Sequence, residues 1–279
     1  MSRLPYKPSA RYLEAMEPPA NYDFAELYEL ISKAKERYRT VRATVVHTVY
    51  GTLAKEANRR FIDWRFDQDS PGMGIIGKPG PPQREDFYHE YEDFDEEWLR
   101  LWHRRPDLWR EERRTPEGQL LECEVYGGMG GSRWIYDPPE WAAYIPRIDE
   151  QEGRDIRFAF MLDPSDYIFH ETFWDGTTIK KTDQVATVAG RECVEVRAET
   201  VSWGYPPYVF STYRASSEGA TDHLLLVDAE VGTILRVAAR LDGEEFRVAE
   251  ATEVAYDEEF PDDTFQLELP GVQFELRER

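Results

Sequence analysis

The chain has 279 residues and a mass of 32.7 kDa, enough for one large β domain or two ordinary ones. Hydrophobic residues make up 41% and aromatic residues 14%, which excludes wholesale disorder. A formal net charge of −21 argues against nucleic acid or an anionic membrane surface as partner, since either would bind against the protein's own field.

Residues 1–22 are proline-rich and read as an irregular arm, and residues 23–279 as a single domain. The arm carries basic residues but no apolar run of signal-peptide length, and no stretch approaches the ~18 apolar residues of a membrane span. A cytoplasmic location is therefore expected, or a periplasmic or other extracytoplasmic one if a leader has been removed. Cys123 and Cys193 are then expected as thiols. Cys123 alternates with Leu121 and Val125 on an apolar face, and Cys193 with Arg191, Glu195 and Arg197 on a charged one.

The first regular element is a helix. Phe24, Leu27, Ile31, Ala34 and Tyr38 recur at spacings of three and four and form one apolar face. From Val41 the pattern turns to strands: VRATVVHTVYG and then RRFIDWRF, where Ile62, Trp64 and Phe66 alternate. Residues 67–84 are a loop crowded with proline and glycine. It holds a literal GxGxxG at Gly72, Gly74 and Gly77, but the following Pro79, Pro81 and Pro82 forbid the helix whose N-terminal amides would hold a pyrophosphate. Dinucleotide binding is rejected.

A second helix is expected over 85–105, with Phe87, Tyr91, Phe94, Trp98 and Leu101 on one face. Its acidic start and basic end, closed by Pro106, suit a helix dipole. The loop and helix at about 67–105 read as an insertion. The aromatic stripe Phe87, Tyr91, Phe94 and Trp98 is a candidate lid over an apolar cavity. Ordinary packing on a sheet is the plainer reading.

Beyond Leu108 most of the chain reads as strands: DLWREERR, QLLECEVYGG, SRWIYD and WAAYI, with the glycine run 127–131 as a hairpin turn. Residues 152–169 are ambiguous between strand and short helix. In ECVEVRAE, Val194, Val196 and Ala198 alternate with charge, as in a sheet with one solvated face. The last strands lie within Leu224–Pro270. There Leu235, Val237, Ala239 and Leu241 oppose Arg236, Ala238 and Arg240, giving an apolar and a wet face, and the segment is expected as the closing edge of the sheet. The expected fold is α+β, mainly β: a strongly curved antiparallel sheet, or half-barrel, with the N-terminal helix and inserted helices covering its concave face.

No chemical constellation stands out. The five histidines show neither HxxxH nor HExxH spacing, and no GxSxG or P-loop occurs. No catalytic residue, metal site or cofactor is assigned.

The order of several segments carries a family resemblance. These are FAELYELISKAKERYRTVRATV, WHRRPDLWREER, SRWIYDPPEWAAYIPR, VAGRECVEVRAE, LLLVDAEVGTILRVAARLDG and EVAYDEEFPDDTFQLELP, spread over about residues 24–270. Together they resemble the lipoprotein-carrier superfamily of LolA-, LolB- and RseB-like half-barrels. That resemblance implies a non-catalytic protein holding an acyl chain or other hydrophobic ligand within the half-barrel. Alternating positions supply the candidate cavity residues Trp64, Phe66, Trp109, Trp134, Tyr136, Tyr144, Leu235 and Val237, for each of which ordinary core packing is the plainer reading. The alternative is a regulatory or scaffold protein that binds another protein through the acidic 85–97 face or the 67–84 loop.

Overall fold

The computed structural model describes residues 22–67, 91–127, 131–138, 141–146, 159–164, 177–200 and 219–276. The proline-rich arm, the GxGxxG loop and Phe87 lie outside these residues.

Residues Thr40–Tyr50 form β1, whose side chains are buried at every second position, as period-2 patterning requires. Along its whole length β1 pairs antiparallel with β2, Phe94–Arg104, from Thr40↔Arg104 to Tyr50↔Phe94. This corrects the helix expected over 85–105. In its second half the strand buries Leu99, Leu101 and His103 on one side and half-buries Trp98 and Trp102 on the other. Apolar residues therefore point to both sides of its second half, and Phe94, Trp98 and Leu101 happen to fit helical spacing. Pro106 lies in the hairpin leading to β3, Leu108–Arg114.

The sheet continues through β4 (Leu120–Gly127), β5 (Arg133–Asp137) and β6 (Trp141–Ile145). On the other side of β1 lies a meander of β7 (Thr177–Val188), β8 (Arg191–Thr200), β9 (Asp222–Asp228), β10 (Ile234–Leu241) and β11 (Glu244–Tyr256). The two-residue β12, Glu275–Leu276, adds to β6 in parallel. The order is β12-β6-β5-β4-β3-β2-β1-β11-β10-β9-β8-β7, one curved, unclosed and otherwise antiparallel sheet. The 224–270 segment is thus not the closing edge. Its strands β9–β11 lie in the middle of the sheet, because β11 returns to pair with β1.

Among the described residues, three helices accompany the sheet. Helix α1, Tyr22–Ser32, continues into a 3-10 turn at Ala34–Glu36, matching the expected first helix. Helix α2 is Gly51–Asp67, where strand-like alternation was expected. The alternation of Ile62, Trp64 and Phe66 is too short to outweigh Ala54, Ala57 and Phe61, which recur at helical spacing in a good helix-forming context. Buried Ala54 and Ala57 pack on Val49, Ala239, Leu241 and Phe246. Helix α3 is the short Ala159–Leu162.

Directly paired residues of an antiparallel sheet share a face, and the apolar clusters sort accordingly. The inner face, under α1 and α3, holds Val41, Ala43, Val45, Leu99, Leu101, Trp109, Val196, Leu225, Val237 and Ala249 together with Leu27, Ile31, Met161 and Leu162. On the outer face a smaller cluster of Cys123, Val125, Phe265 and Leu267 forms beneath the segment after β11. Cys193 departs from the sequence expectation. Although flanked by charges, it is fully buried and packs with the main core. Six strands separate β4 from β8, and both cysteines are free thiols.

Candidate functional site: the inner face of the sheet

The inner face divides into two halves of opposite chemistry. Over β1 and β8–β11 it is apolar apart from His47, His223 and Arg247, and it is capped by helices. Its rows run Val41↔Tyr256 and Ala249↔Val237↔Leu225↔Val196. Each such buried aliphatic stabilises the fold by roughly 1.5–3 kcal/mol.

Over β2–β5 the same face carries charge. The register aligns Leu101, Glu111, Glu124 and Ile135 in one row and Leu99, Arg113 and Glu122 in the next. Arg113 reaches Glu122 at 2.9 Å and Glu97 at 3.4 Å, and Arg133 reaches Glu124 at 3.0 Å. Glu97 also lies 3.3 Å from Nδ1 of buried His47. Burial holds the His47 imidazole below its usual pKa, although Glu97 pulls the other way. Glu111 itself is buried among these strands.

A latch stands at the boundary between the halves. The Tyr38 hydroxyl donates to the Leu162 carbonyl at 2.9 Å and lies 2.9 Å from Nδ1 of His103. With the hydroxyl proton directed to Leu162, Nδ1–H of His103 donates to the tyrosine oxygen. The imidazole lies flat on Trp109, with ring centroids 3.8 Å apart and 6° between planes. One contact set therefore ties the end of the α1 segment, α3 and strands β2 and β3.

The helix cap is fixed from its far end by the β9–β10 turn. Gly232, at φ 91°, sits where a Cβ would be 2.2 Å from the Leu30 carbonyl oxygen, so only glycine fits against α1 there. Arg37 donates to the carbonyls of Leu30 and Val231. Asp228, 1% exposed, accepts from Arg191, from the amides of Glu230 and Val231, and from the Tyr256 hydroxyl. Burial alone would raise the Asp228 pKa, but Arg191 and the two amides overcome it and hold the carboxyl below its usual value.

The structure does not gather the sequence-predicted site residues into one place. Trp109, Leu235 and Val237 lie in the inner core, fully buried. Trp134, Tyr136 and Tyr144 are half-buried on the outer face, where Trp134 meets Tyr144 at 4.9 Å. Trp64 and Phe66 are half-buried on α2, with Trp64 stacked on Phe61. Of the lid candidates, Tyr91 packs beside the α2 cluster with Arg247 over its ring. Phe94 is 53% exposed beside Tyr50. Trp98 is half-buried on β2 and bonds Glu96. These three do not share a helix face.

Sequence reasoning missed the charged inner half. Its signal was present in WREERR, where a strand alternates Glu111 and Arg113 with Arg110, Glu112 and Arg114 and so carries charge on both faces.

No family model and no curated protein matches the chain. Solved structures do. The MucA/MucB complex of Pseudomonas aeruginosa matches with a TM-score of 0.48 at 14% identity, over 88% of this chain and 61% of that one. An uncharacterised conserved protein of Thermus thermophilus matches at 0.44 and 9% identity, over 91% and 99%. A LolA-superfamily protein of Nitrosomonas europaea matches at 0.30 and 9%, over 87% and 97%. The chain spans about six-tenths of the MucB chain in that complex.

Proposed function

We propose that this chain is a non-catalytic binding protein that holds an amphiphilic ligand, an acyl chain with a polar head, against the inner face of its open sheet. One observation carries the reading: that face is divided between a helix-capped apolar half and a charge-lined half. An acyl chain would lie where α1 and α3 now cover Leu225, Val237 and Ala249, and the head group would meet Glu97, Arg113, Glu122, Glu124 and Arg133. Four carboxylates (with Glu111) against two arginines favour a cationic or neutral head. Among the described residues the apolar half is covered by helices of 11, 17 and four residues rather than by a second sheet. Such a cap can shift without breaking the strand ladder.

Trp109, Leu235 and Val237 keep a place in this site as its floor. The outer-face aromatics do not enter it. The extracytoplasmic setting implied by the lipoprotein-carrier resemblance goes with this reading. The cytoplasmic expectation rested on the N-terminal residues alone and is set aside. Among the described residues, no helix is long and apolar enough to cross a membrane.

Native mass spectrometry of the protein purified from its source tests the reading. The expected spectrum shows a small bound species that leaves on denaturation. A spectrum of the bare chain, with no fluorescence response to long-chain acyl probes, would overturn it.

A further inference from the structure

One row of side chains crosses the seam of the inner face. Directly paired residues carry it from Val196 on β8 through Leu225, Val237 and Ala249 to His47 on β1 and Glu97 on β2. The first four are apolar and belong to the main core. Beyond Glu97 the row continues as ion pairs. Glu97 Oε1 lies 3.4 Å from Arg113, and Arg113 lies 2.9 Å from Glu122. His47 is therefore the side chain at which the apolar half meets the charged half.

The surroundings of the imidazole are asymmetric. His47 is 3% exposed, and its Nδ1 lies 3.3 Å from Glu97 Oε2. A carboxylate only accepts, so Nδ1–H is the donor. In the neighbouring row Val49 stands between Asp95 on β2 and Arg247 on β11. Carboxylates thus flank the ring from β2 and a guanidinium from β11. Helix α2 packs on Val49 through Ala54 and Ala57. Its buried polar side chain is Asn58, while Arg59 and Arg60 reach Asp63, Glu56 and Asp242. Burial is the largest influence on the ring and holds its pKa below the usual 6.5; Glu97 and Asp95 oppose burial and Arg247 adds to it. At neutral pH the imidazole is therefore uncharged. In acid it gains a charge, and Glu97 is the carboxylate in contact with it.

We infer that His47 makes the hold on a cationic head group pH-dependent: uncharged, it leaves Glu97 to face the head, and protonated, it takes that carboxylate as its own partner and releases the ligand. The inference rests on the inner-face reading above and deepens it. An amphiphile lying along the row from Val196 to Ala249 brings its head to His47 and Glu97. A cationic head and a protonated imidazole then compete for one carboxylate and repel each other. Buried as it is, His47 acts through Glu97 and need not touch the ligand. The sign follows from linkage. A bound cation disfavours the protonated ring, so affinity is full above the usual 6.5 and falls as pH drops through the lower folded value.

Dodecyltrimethylammonium, whose charge does not titrate, tests this below its micelle concentration, with octaethylene glycol monododecyl ether as the uncharged-head control. In titration calorimetry the wild-type chain should bind the cation at least ~5-fold more weakly at about pH 5 than at about pH 7.5. The uncharged probe should change by less than ~2-fold. His47→Gln should remove the difference between the two pH values for the cation. Glu97→Gln should remove it too, and should weaken the cation at about pH 7.5. Equal affinity for the cation at both pH values, a parallel loss for both probes, or a pH dependence that survives in His47→Gln overturns the inference and leaves the inner-face reading standing. Failure of both probes to bind at either pH overturns that reading and this inference with it. Should the variants fail to fold, proton release by the wild-type chain decides. At about pH 5 the cation should displace protons, seen as a binding heat that changes with the ionisation heat of the buffer, and the uncharged probe should not. A buffer-independent heat for the cation contradicts the switch.

Discussion

Both faces of this sheet are apolar in part, and both are covered by chain that is not sheet. The inner cover is helical, latched by Tyr38 and His103, and joins a cluster running through β1, β2, β3 and β8–β11. The outer cover is one extended segment whose Phe265 and Leu267 are buried with Cys123 and Val125 of β4. The inner face therefore carries the global stability of the fold, and the outer face is a local unit that can open while the sheet persists.

The largest expected effect breaks the inner side. Trp109→Ala removes a fully buried indole and the stacking partner of His103, and should cost about 4–5 kcal/mol in chemical denaturation. Trp134→Ala, on the half-buried outer side, should cost less than half of that. Equal losses would contradict the division between the faces.

Next comes the clamp under α1. Asp228→Asn leaves Arg191 facing a neutral amide and should cost about 3 kcal/mol at neutral pH. Because the folded-state pKa of Asp228 is depressed, its contribution is present above the ordinary value of 3.8 and is lost as pH falls through the lower folded value. The wild-type chain should thus lose stability below about pH 4, with a flatter acid limb in the variant.

His223, buried on β9, has its pKa lowered to about 4, chiefly by burial. The unfolded chain binds the proton more tightly. Stability should therefore fall from about pH 6.5 toward pH 4, by about 3 kcal/mol in total. His223→Gln should flatten denaturation midpoints measured across that interval, and an unchanged slope would assign the effect to another group.

The smallest effect sharpens the latch. Tyr38→Phe deletes the hydroxyl shared by His103 and Leu162 and should cost about 1–2 kcal/mol. It should also raise hydrogen exchange in α1 more than in β4.

The fold was legible where one face of an element is polar. Helix α1 and strands β1 and β4 show clean periods because burial on one side selects apolar side chains at every second, third or fourth position. It was illegible where both sides are covered. In β2, Trp98 and Trp102 fill the outer side and Leu99 and Leu101 the inner, so no single period survives. The α2 segment misled for the opposite reason, since its small alanines contribute little to a hydrophobic pattern yet make the closest helix contacts. The candidate site was less legible than the fold. Alternation marks which residues share a face but not which face, so Trp134 and Trp109 looked equivalent. Register with Tyr126 and Val125 separates them.

The central claim is that the helix-capped inner face receives an apolar chain. Hydrogen exchange of the intact protein, with and without a saturating long-chain acyl probe, tests it most directly. The account predicts altered exchange in α1 and at β10 around Leu235–Val237, with residues 258–276 unchanged. Exchange unaltered in α1 and β10, or altered only in the outer segment, would contradict it.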